Sequence, residues 1–332
     1  MMSHARWKSV LKRFLRLRVL VIGDMMLDQY VMGRVSRISP EAPVPVVDVQ
    51  SEKFFPGGAS NVARNLRSLS ARVSVLGVIG ADSTGRTLAQ NLEEQGIDTS
   101  GLLKDASRPT TLKTRVIAQH QQVVRFDRES RAPMPPALSR KALEWARRAI
   151  PRMDAVIFED YGKGLIQQEF LDACVAAARR AGVPAFADPN AHHRLDYRSL
   201  TGITPNRGEA FWMAREAARD PMPDPLHDAP LLAVGRKLLA ETHIKNVLIT
   251  LGEHGMCLFR EGHRPHHIPT AAQEVFDVSG AGDTAISAFA LGLCSGLDPA
   301  AAAYLSNQAS GIVVGKAGTA IVTPQELLAR LK

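Results

Sequence analysis

The chain has 332 residues, 45% hydrophobic, 22% charged and 5% aromatic, with 41 Lys+Arg against 33 Asp+Glu for a net charge of +8. That length predicts one or two domains, with a core large enough to need no disulfide or metal staple. Six cations (Arg6, Lys8, Lys12, Arg13, Arg16 and Arg18) fall in residues 1–18, which hold no acid, so the other 314 residues carry only +2; a broad polyanion-binding surface is not implied, and so few aromatics argue against a base-stacking nucleic-acid platform.

Trp7, Val10, Leu11, Phe14 and Leu15 recur at helical spacing with cations between them. Residues 1–18 therefore read as an amphipathic helix, which either covers the sheet edge or a subunit contact, or meets a membrane surface or partner. The next apolar run, VLVIG (19–23), is too short for a signal peptide and reads as a first strand. No apolar run approaches the roughly 18 residues of a membrane span, so no integral membrane association is expected. Residues 29–52 are extended and interrupted by Pro40, Pro43 and Pro45, which excludes a helix interior. Further strand-like runs are VSVLGVIG (73–80), AVIFED (155–160), PAFADP (184–189) and NVLITLG (246–252). Helical patterns fall at about 60–69, 84–95, 167–181, 208–217, 231–241, 283–295 and 299–313. This alternation predicts an α/β fold with a parallel sheet, helices on both faces and binding sites beyond the carboxyl ends of the strands. Residues 109–127 are β-rich and could pair with 29–52 as a small sheet, a lid over those ends. The segment 218–230 reads as a mobile surface loop. Cys174, Cys257 and Cys294 form no CxxC pair, which suits a reducing cytoplasm and excludes a zinc module. His120, His192, His193, His266 and His267 form no HExxH array and read as surface or loop residues.

Several turns carry chemistry. DVSGAGDT (277–284) leads straight into a helical pattern. Gly280, Ala281 and Gly282 let the backbone approach a ligand where a helix start presents unpaired N–H groups, an anion hole for a phosphate. Asp283 is then placed to deprotonate an attacking hydroxyl, although an acid there could equally be a helix cap. PGGASNVARNL (56–66) could admit a polyhydroxylated ligand to Gly57, Gly58 and Asn61, or be an ordinary turn and cap. TPNRGEA (204–210) offers Asn206 and Glu209; Glu209 could hold Mg²⁺ through water, or the pair could be a cap. TLGEHG (250–255) is a plausible nucleotide-contact turn. GVIGADSTGRTL (77–88) has the wrong spacing for a dinucleotide fingerprint, and no GxxxxGK[ST] P-loop is present.

In this order, GGASNVARNL, DVSGAGDT and the other turns resemble the ribokinase/PfkB family of carbohydrate kinases, from about Val19 to the C-terminus. The resemblance implies a ribokinase-like three-layer α/β/α sandwich with a mostly parallel central sheet and a small β-sheet lid from about 29–52 and 109–127. It implies a kinase domain over 19–332 behind the basic helix of 1–18, often dimeric through the lid. GDMMLDQYVMGRVSRISPEAPVPVV (23–47), HQQVVRFD (120–127), EDYGKG (159–164) and HIPTAAQEVFDVSGAGDT (267–284) are similar to the kinase part of the bacterial heptose-phosphate kinases within that family. SRISPEAPVPVV is absent from generic ribokinases. This narrower resemblance implies ATP-dependent phosphorylation of the anomeric 1-hydroxyl of D-glycero-β-D-manno-heptose 7-phosphate, toward ADP-heptose and lipopolysaccharide core, in a form without a nucleotidyltransferase domain.

The same resemblance implies residue roles. Asp283 is the catalytic base, beside the anion hole of Gly280, Ala281 and Gly282. Asp28, Gly57, Gly58, Asn61 and Asp160 bind the sugar. Asn206 and Glu209 organise Mg²⁺ and the phosphates of ATP, while Thr250, Gly252, Gly255 and Asn307 contact the nucleotide. Asp277 and Ser279 belong to a monovalent-cation site, usually for K⁺, found in some members. A 7-phosphate needs cations, for which Arg34, Arg37, Lys113, Arg115 and Arg125 are candidates; Arg37 and Arg125 lie inside the heptose-specific stretches. Asn190 stands where relatives often carry Lys. Another sugar or sugar-phosphate kinase of the family, and a catalytically silent sugar-phosphate-binding regulator, are the competing readings.

Overall fold

The computed structural model describes residues 2–119, 121–190, 193–316 and 318–331, so His120 and His192 lie outside the described residues. In chain order the strands are β1 (Arg18–Gly23), β2 (Met25–Ile38), β3 (Pro45–Gly58), β4 (Arg72–Gly80), β5 (Asp98–Asp105), β6 (Thr111–Ala118), β7 (Gln121–Arg128), β8 (Ala155–Glu159), β9 (Ala185–Asp188), β10 (Gly202–Ile203), β11 (Val247–Thr250), β12 (Met256–Phe259) and β13 (His266–Ile268). The helices are α1 (His4–Phe14), α2 (Ala59–Ser68), α3 (Ser83–Glu94), α4 (Pro136–Ala149), α5 (Gln168–Ala181), α6 (Arg207–Met213), α7 (Ala229–Thr242), α8 (Ala281–Cys294), α9 (Pro299–Val313) and α10 (Pro324–Arg330).

Nine strands form one sheet in the order β13-β12-β11-β10-β9-β8-β1-β4-β5. It is parallel from β5 to β11, and β12 and β13 add an antiparallel edge. The unbroken apolar runs follow from burial on both faces, since successive side chains of a strand point to opposite sides. Val19 and Val21 of β1 join one core with α1, α2, α3, α8, α9 and α10, whereas Leu20 and Ile22 join the other with α4, α5, α6 and α7. The result is the expected α/β/α sandwich.

Helix α1 belongs to the first of these cores. Ser3 caps it, and Trp7, Val10, Leu11 and Phe14 are buried, with Trp7 packing beside Tyr304 at a ring separation of 6.0 Å. It ends at Phe14, short of the expected 18, because β1 must begin at Arg18 to pair with Arg72. Helix α6 likewise stops at Met213, where the expectation ran to 217; Arg215 turns the chain with a left-handed φ of 57°. The segment 218–230 carries no strand and only the first turn of α7, anchored at buried Asp228, which pairs with Arg207 at 2.8 Å.

A second, four-stranded sheet runs β3-β2-β6-β7, with β2 antiparallel to β3, parallel to β6, and β6 antiparallel to β7. It draws on the two stretches that interrupt the strand–helix alternation. Its long β2–β3 hairpin leaves Ile38, Val44, Val49 and Phe54 exposed, and β7 leaves Val123, Val124 and Phe126 exposed.

If α1 is part of the core, truncating its most buried ring must cost global stability. Phe14 is fully buried, so Phe14→Ala should lower the unfolding free energy by about 3–5 kcal/mol. An unchanged denaturant midpoint would show that the helix is only an appendage.

Candidate active site

The two glycine-rich turns meet across one helix pair. Asn61 lies in the first turn of α2 and Asp283 in the first turn of α8. Asn61 Nδ2 donates to Asp283 Oδ2 at 2.6 Å. One turn deeper, Thr284 Oγ1 donates to Asn65 Oδ1 at 2.8 Å, and Asn65 Nδ2 donates to Asn61 O at 2.9 Å. All four residues are buried. Gly280 begins α8 with φ 79°, and a Cβ there would lie 2.8 Å from Asn61 Nδ2; the position therefore needs glycine both for its conformation and for this approach. At the start of α8, Ala281 N–H turns back to Val278 O, and the first intrahelical bond runs from Thr284 N–H to Gly280 O. The N–H groups of Gly282 and Asp283 fall in the unpaired first turn, where the helix dipole favours an anion.

A cavity opens on each side of this helix end. The larger, about 480 Å³, is lined by Thr250, Gly252, Gly255, Ala281, Gly282 and Asn307, along with Val275, Val278 and other residues of α8 and α9. All four expected nucleotide contacts are thus together. The smaller, about 250 Å³, is lined by Asp28, Gly57, Gly58, Asn61, Gly280 and Asp283, with Lys113, Arg115, Arg125 and Tyr161. Two buried polar atoms at this cavity have no partner among the described residues, Asn61 Oδ1 and Thr319 Oγ1. Leaving such an atom unpaired costs about 1–3 kcal/mol, which a ligand hydroxyl would recover. Gly57 is required here because a Cβ would sit 2.5 Å from Asp28 Oδ2.

Asp283 is held on both oxygens, by Asn61 on Oδ2 and by the Tyr161 hydroxyl on Oδ1 at 3.2 Å. Burial pushes its carboxyl up to about 6, against the two hydrogen bonds, which draw it down. Tyr161 is itself raised well above its ordinary value, by burial first and then by the Asp283 charge, so it stays a donor. Its loop is clamped from both sides: Asp24 Oδ2 accepts the Tyr161 and Lys163 N–H groups at 2.9 and 3.0 Å, and Asp160 Oδ1 accepts that of Gly162 at 2.9 Å.

Two expectations need correction. Asp160 does not face the sugar-sized cavity; it is buried and accepts from the Tyr197 hydroxyl at 3.0 Å, and it contacts His193 Nδ1 at 2.8 Å. Its work is to hold the 160–164 loop, and Tyr161 reaches the cavity in its place. His193 accordingly is no free surface residue. Arg37 does not line the cavity either. It is exposed near the far end of β2, opposite Val46, and its place inside a heptose-specific stretch carries no measure of that distance. The cavity cations are Lys113, Arg115 and Arg125 on β6 and β7. Arg115 bonds Asp28 at 2.7 Å, and Arg125 and Lys113 share Asp127 at 2.6 and 3.3 Å. Asp127 is drawn down to about 2, first by the Arg125 hydrogen bonds.

Asn206 and Glu209 form a reciprocal capping box at the start of α6, with bonds of 2.9 and 2.8 Å. The Asp277 carboxylate accepts the Ser279 and Gly318 N–H groups at 2.9 and 3.1 Å. Sequence reasoning missed a cluster of acids at the carboxyl ends of adjacent strands: Glu159 ends β8 and Asp188 ends β9. With Asp283 they offer oxygens within 4.8 Å of one another. Burial, reinforced by neighbouring carboxylates, raises Glu159 and Asp188 well above their ordinary values, and burial also raises Glu209. Glu159 Oε2 is buried with no partner among the described residues. Hard oxygen donors, repelling one another around an unsatisfied carboxylate, fit a divalent cation such as Mg²⁺.

The family model for "pfkB family carbohydrate kinase" matches residues 16–326. The chain belongs to the pfkB family of carbohydrate kinases. The Bifunctional protein HldE of Geotalea uraniireducens is 42% identical over 330 residues, covering 99% of this chain and 66% of the relative. That of Geobacter metallireducens is 44% identical over 312 residues, covering 94% and 62%. The chain thus spans less than two thirds of the length of these relatives. Among solved structures, the Arabidopsis thaliana ribokinase complexed with ribose and ATP superposes with a TM-score of 0.73 at 20% identity, covering 95% of this chain and 99% of that one. The phosphofructokinase-2 of Escherichia coli in complex with potassium gives 0.74 at 15% identity, covering 94% and 97%. The fold is therefore ribokinase-like, and among the described residues no helix is long and apolar enough to cross a membrane.

Tyr161 is the addition that this geometry makes to the residues that hold Asp283. Tyr161→Phe keeps the ring and removes the donor to Asp283. Kinase turnover should fall by about tenfold to a hundredfold, the scale of one hydrogen bond to a charged group, with the KM for nucleotide unchanged. Wild-type turnover in that variant would remove Tyr161 from the reaction.

Proposed function

We propose that the chain transfers the γ-phosphoryl group of ATP to the anomeric 1-hydroxyl of D-glycero-β-D-manno-heptose 7-phosphate, giving the 1,7-bisphosphate, in the cytoplasm. The observation that carries this reading is that the start of α8 is shared by two cavities, one lined by the expected nucleotide contacts and one by Asp28, Gly57, Gly58 and Asn61. The choice of a heptose phosphate rests on the likeness of residues 23–47 and 120–127 to the heptose-phosphate kinases and on the HldE relatives. The cations Lys113, Arg115 and Arg125 at the second cavity suit a substrate that is itself an anion.

ATP lies along Thr250, Gly252, Gly255 and Asn307 with its γ-phosphate at the first-turn amides of α8. The sugar lies against Asp28, Gly57, Gly58 and Asn61 with its 1-hydroxyl at Asp283. Asp283 takes the hydroxyl proton as the sugar oxygen bonds to the γ-phosphorus, the bond from that phosphorus to the β–γ bridging oxygen breaks, and ADP leaves. Asn61 and Tyr161 keep the Asp283 carboxylate aimed during the transfer. The helix end offsets the charge on the equatorial oxygens. Glu159, Asp188 and Glu209 would hold the Mg²⁺, whose charge offsets that of the phosphates when bound, with Asn206 bracing Glu209. A monovalent cation near Asp277 and Ser279 is part of the same reading, supported by the likeness to a phosphofructokinase-2 described with potassium; exchange of K⁺ for a larger organic cation should then slow turnover.

The four-stranded sheet serves as the lid, since its β6 and β7 bring cations to the sugar cavity. Its exposed apolar side chains, Ile38, Val44, Val49 and Phe126 among them, support a homodimer formed through this sheet.

Asp283→Asn should remove about a hundredfold to ten-thousandfold of kcat while leaving ATP affinity intact, because a general base acts only in the chemical step. Near-normal turnover would sink the mechanism. Arg125→Met should instead raise the KM for heptose 7-phosphate by about tenfold to a hundredfold with kcat little changed, the cost of one charged hydrogen bond. The opposite split, kcat lost and KM kept, would take Arg125 out of phosphate recognition.

A further inference from the structure

The basic segment has a second meaning once its helix is in place. Burying Trp7, Val10, Leu11 and Phe14 in the core turns every cation of residues 1–18 outward: Arg6, Lys8, Lys12, Arg13, Arg16 and Arg18 are all exposed. Among the described residues only Arg18 is ion-paired, to Asp154 at 3.1 Å, and Arg13 spends one N–H group on Ser295 O at 2.8 Å. Ser295 is the C-cap of α8, so this contact sits at the end of α8 away from the helix start that faces both cavities. The amino ends of β1 and β4 continue the same basic pole. Arg18, Arg67 and Arg72 outnumber the one acid, Asp98, in the lining of a groove of about 470 Å³ there, with Leu15, which is 55% exposed, beside them.

We propose that this pole is a docking surface for an anionic lipid bilayer, held by electrostatics rather than by insertion. The apolar face of α1 is already consumed by the core, so the helix cannot lie in the membrane as a free amphipathic helix would. What it offers is a row of exposed cations on a rigid support, of which Arg6, Lys8, Lys12 and Arg16 carry no ion pair among the described residues, with Leu15 as a shallow apolar contact. Nucleic acid fits it less well. Among the described residues the exposed aromatic rings, Phe54, Phe126 and Phe276, lie on other elements and offer the pole no stacking surface. Docking here leaves the mouths of both cavities, at the carboxyl ends of the strands, open to the aqueous side. The proposal is independent of which sugar the enzyme phosphorylates.

The test is co-sedimentation of the full chain with phosphatidylcholine vesicles, with and without phosphatidylglycerol. Each Lys or Arg near an anionic leaflet is worth roughly a fivefold gain in binding. The triple variant Lys8→Glu, Lys12→Glu, Arg16→Glu should therefore lose at least about a hundredfold of its affinity for the anionic vesicles. Wild-type binding to them should also collapse as salt is raised to about 0.5 M, where the Debye length shrinks to a few ångströms. Kinase turnover and the thermal midpoint of the triple variant should match the wild type, which separates lost docking from lost folding. Equal binding to vesicles with and without phosphatidylglycerol, or binding unaffected by the triple variant, would overturn the proposal. So would tighter binding to duplex DNA than to the anionic vesicles at equal charge concentration.

Discussion

The architecture of the site depends on one buried hydrogen bond, from Asn61 Nδ2 to Asp283 Oδ2. It joins the first turns of two helices that start 222 residues apart, and it is continued by Thr284, Asn65 and Ser287 as a polar seam inside an otherwise apolar contact. A buried carboxylate without such a donor would be neutral or displaced. With it, Asp283 is fixed in aim and burial lifts it only to about 6, so it remains ionised at neutral pH. Both glycine-rich turns serve that bond. Gly57 brings the chain against Asp28 and Gly58 against Met26 and Asp24 just before α2, and Gly280 lets α8 begin against the Asn61 amide.

Around this seam the parallel sheet acts as an aligning device. It delivers Glu159, Asp188 and Thr250 at the carboxyl ends of strands of one sheet, so that the acids and the lining of the larger cavity arise at one level. The acids repel each other and are lifted by burial, which makes this edge a place that a cation stabilises. Opposite, the 160–164 loop is pinned by Asp24 and Asp160 so that Tyr161 completes the hold on Asp283. Charge is thus distributed by function. The site gathers carboxylates and helix-end amides, the second sheet supplies cations paired to Asp28 and Asp127, and the excess positive charge sits at the opposite pole.

Much of this was legible in the residues, for stated reasons. The run VLVIG announces a strand buried on both faces, and its alternate residues do face the two cores. The pair GGASN and GAGD marks the two helix starts that bracket the site, because glycine is needed where backbone meets ligand or neighbour. Short elements escaped: β10 has two residues and β13 three, too few to show a period. The resemblance assigns Asp160 to the sugar, but a motif does not say which of Asp160 and Tyr161 turns toward the cavity; the clamp by Asp24 turns Tyr161 there. Arg37 lies outside the cavity lining because a place in a telling stretch says nothing of how far along a 14-residue strand a side chain sits. Glu159 and Asp188 could have been found by asking which acids end parallel strands.

The central claim is that the start of α8 is the point where a nucleotide and a phosphorylated heptose meet. The most direct measurement is ³¹P NMR of the unmodified protein with Mg·ATP and D-glycero-β-D-manno-heptose 7-phosphate, with ribose and fructose 6-phosphate run in parallel. The account predicts a new anomeric phosphate on the heptose, matched one for one by ADP, at a rate far above that with the other two sugars. Phosphorylation of ribose or fructose 6-phosphate with the heptose left untouched would contradict it.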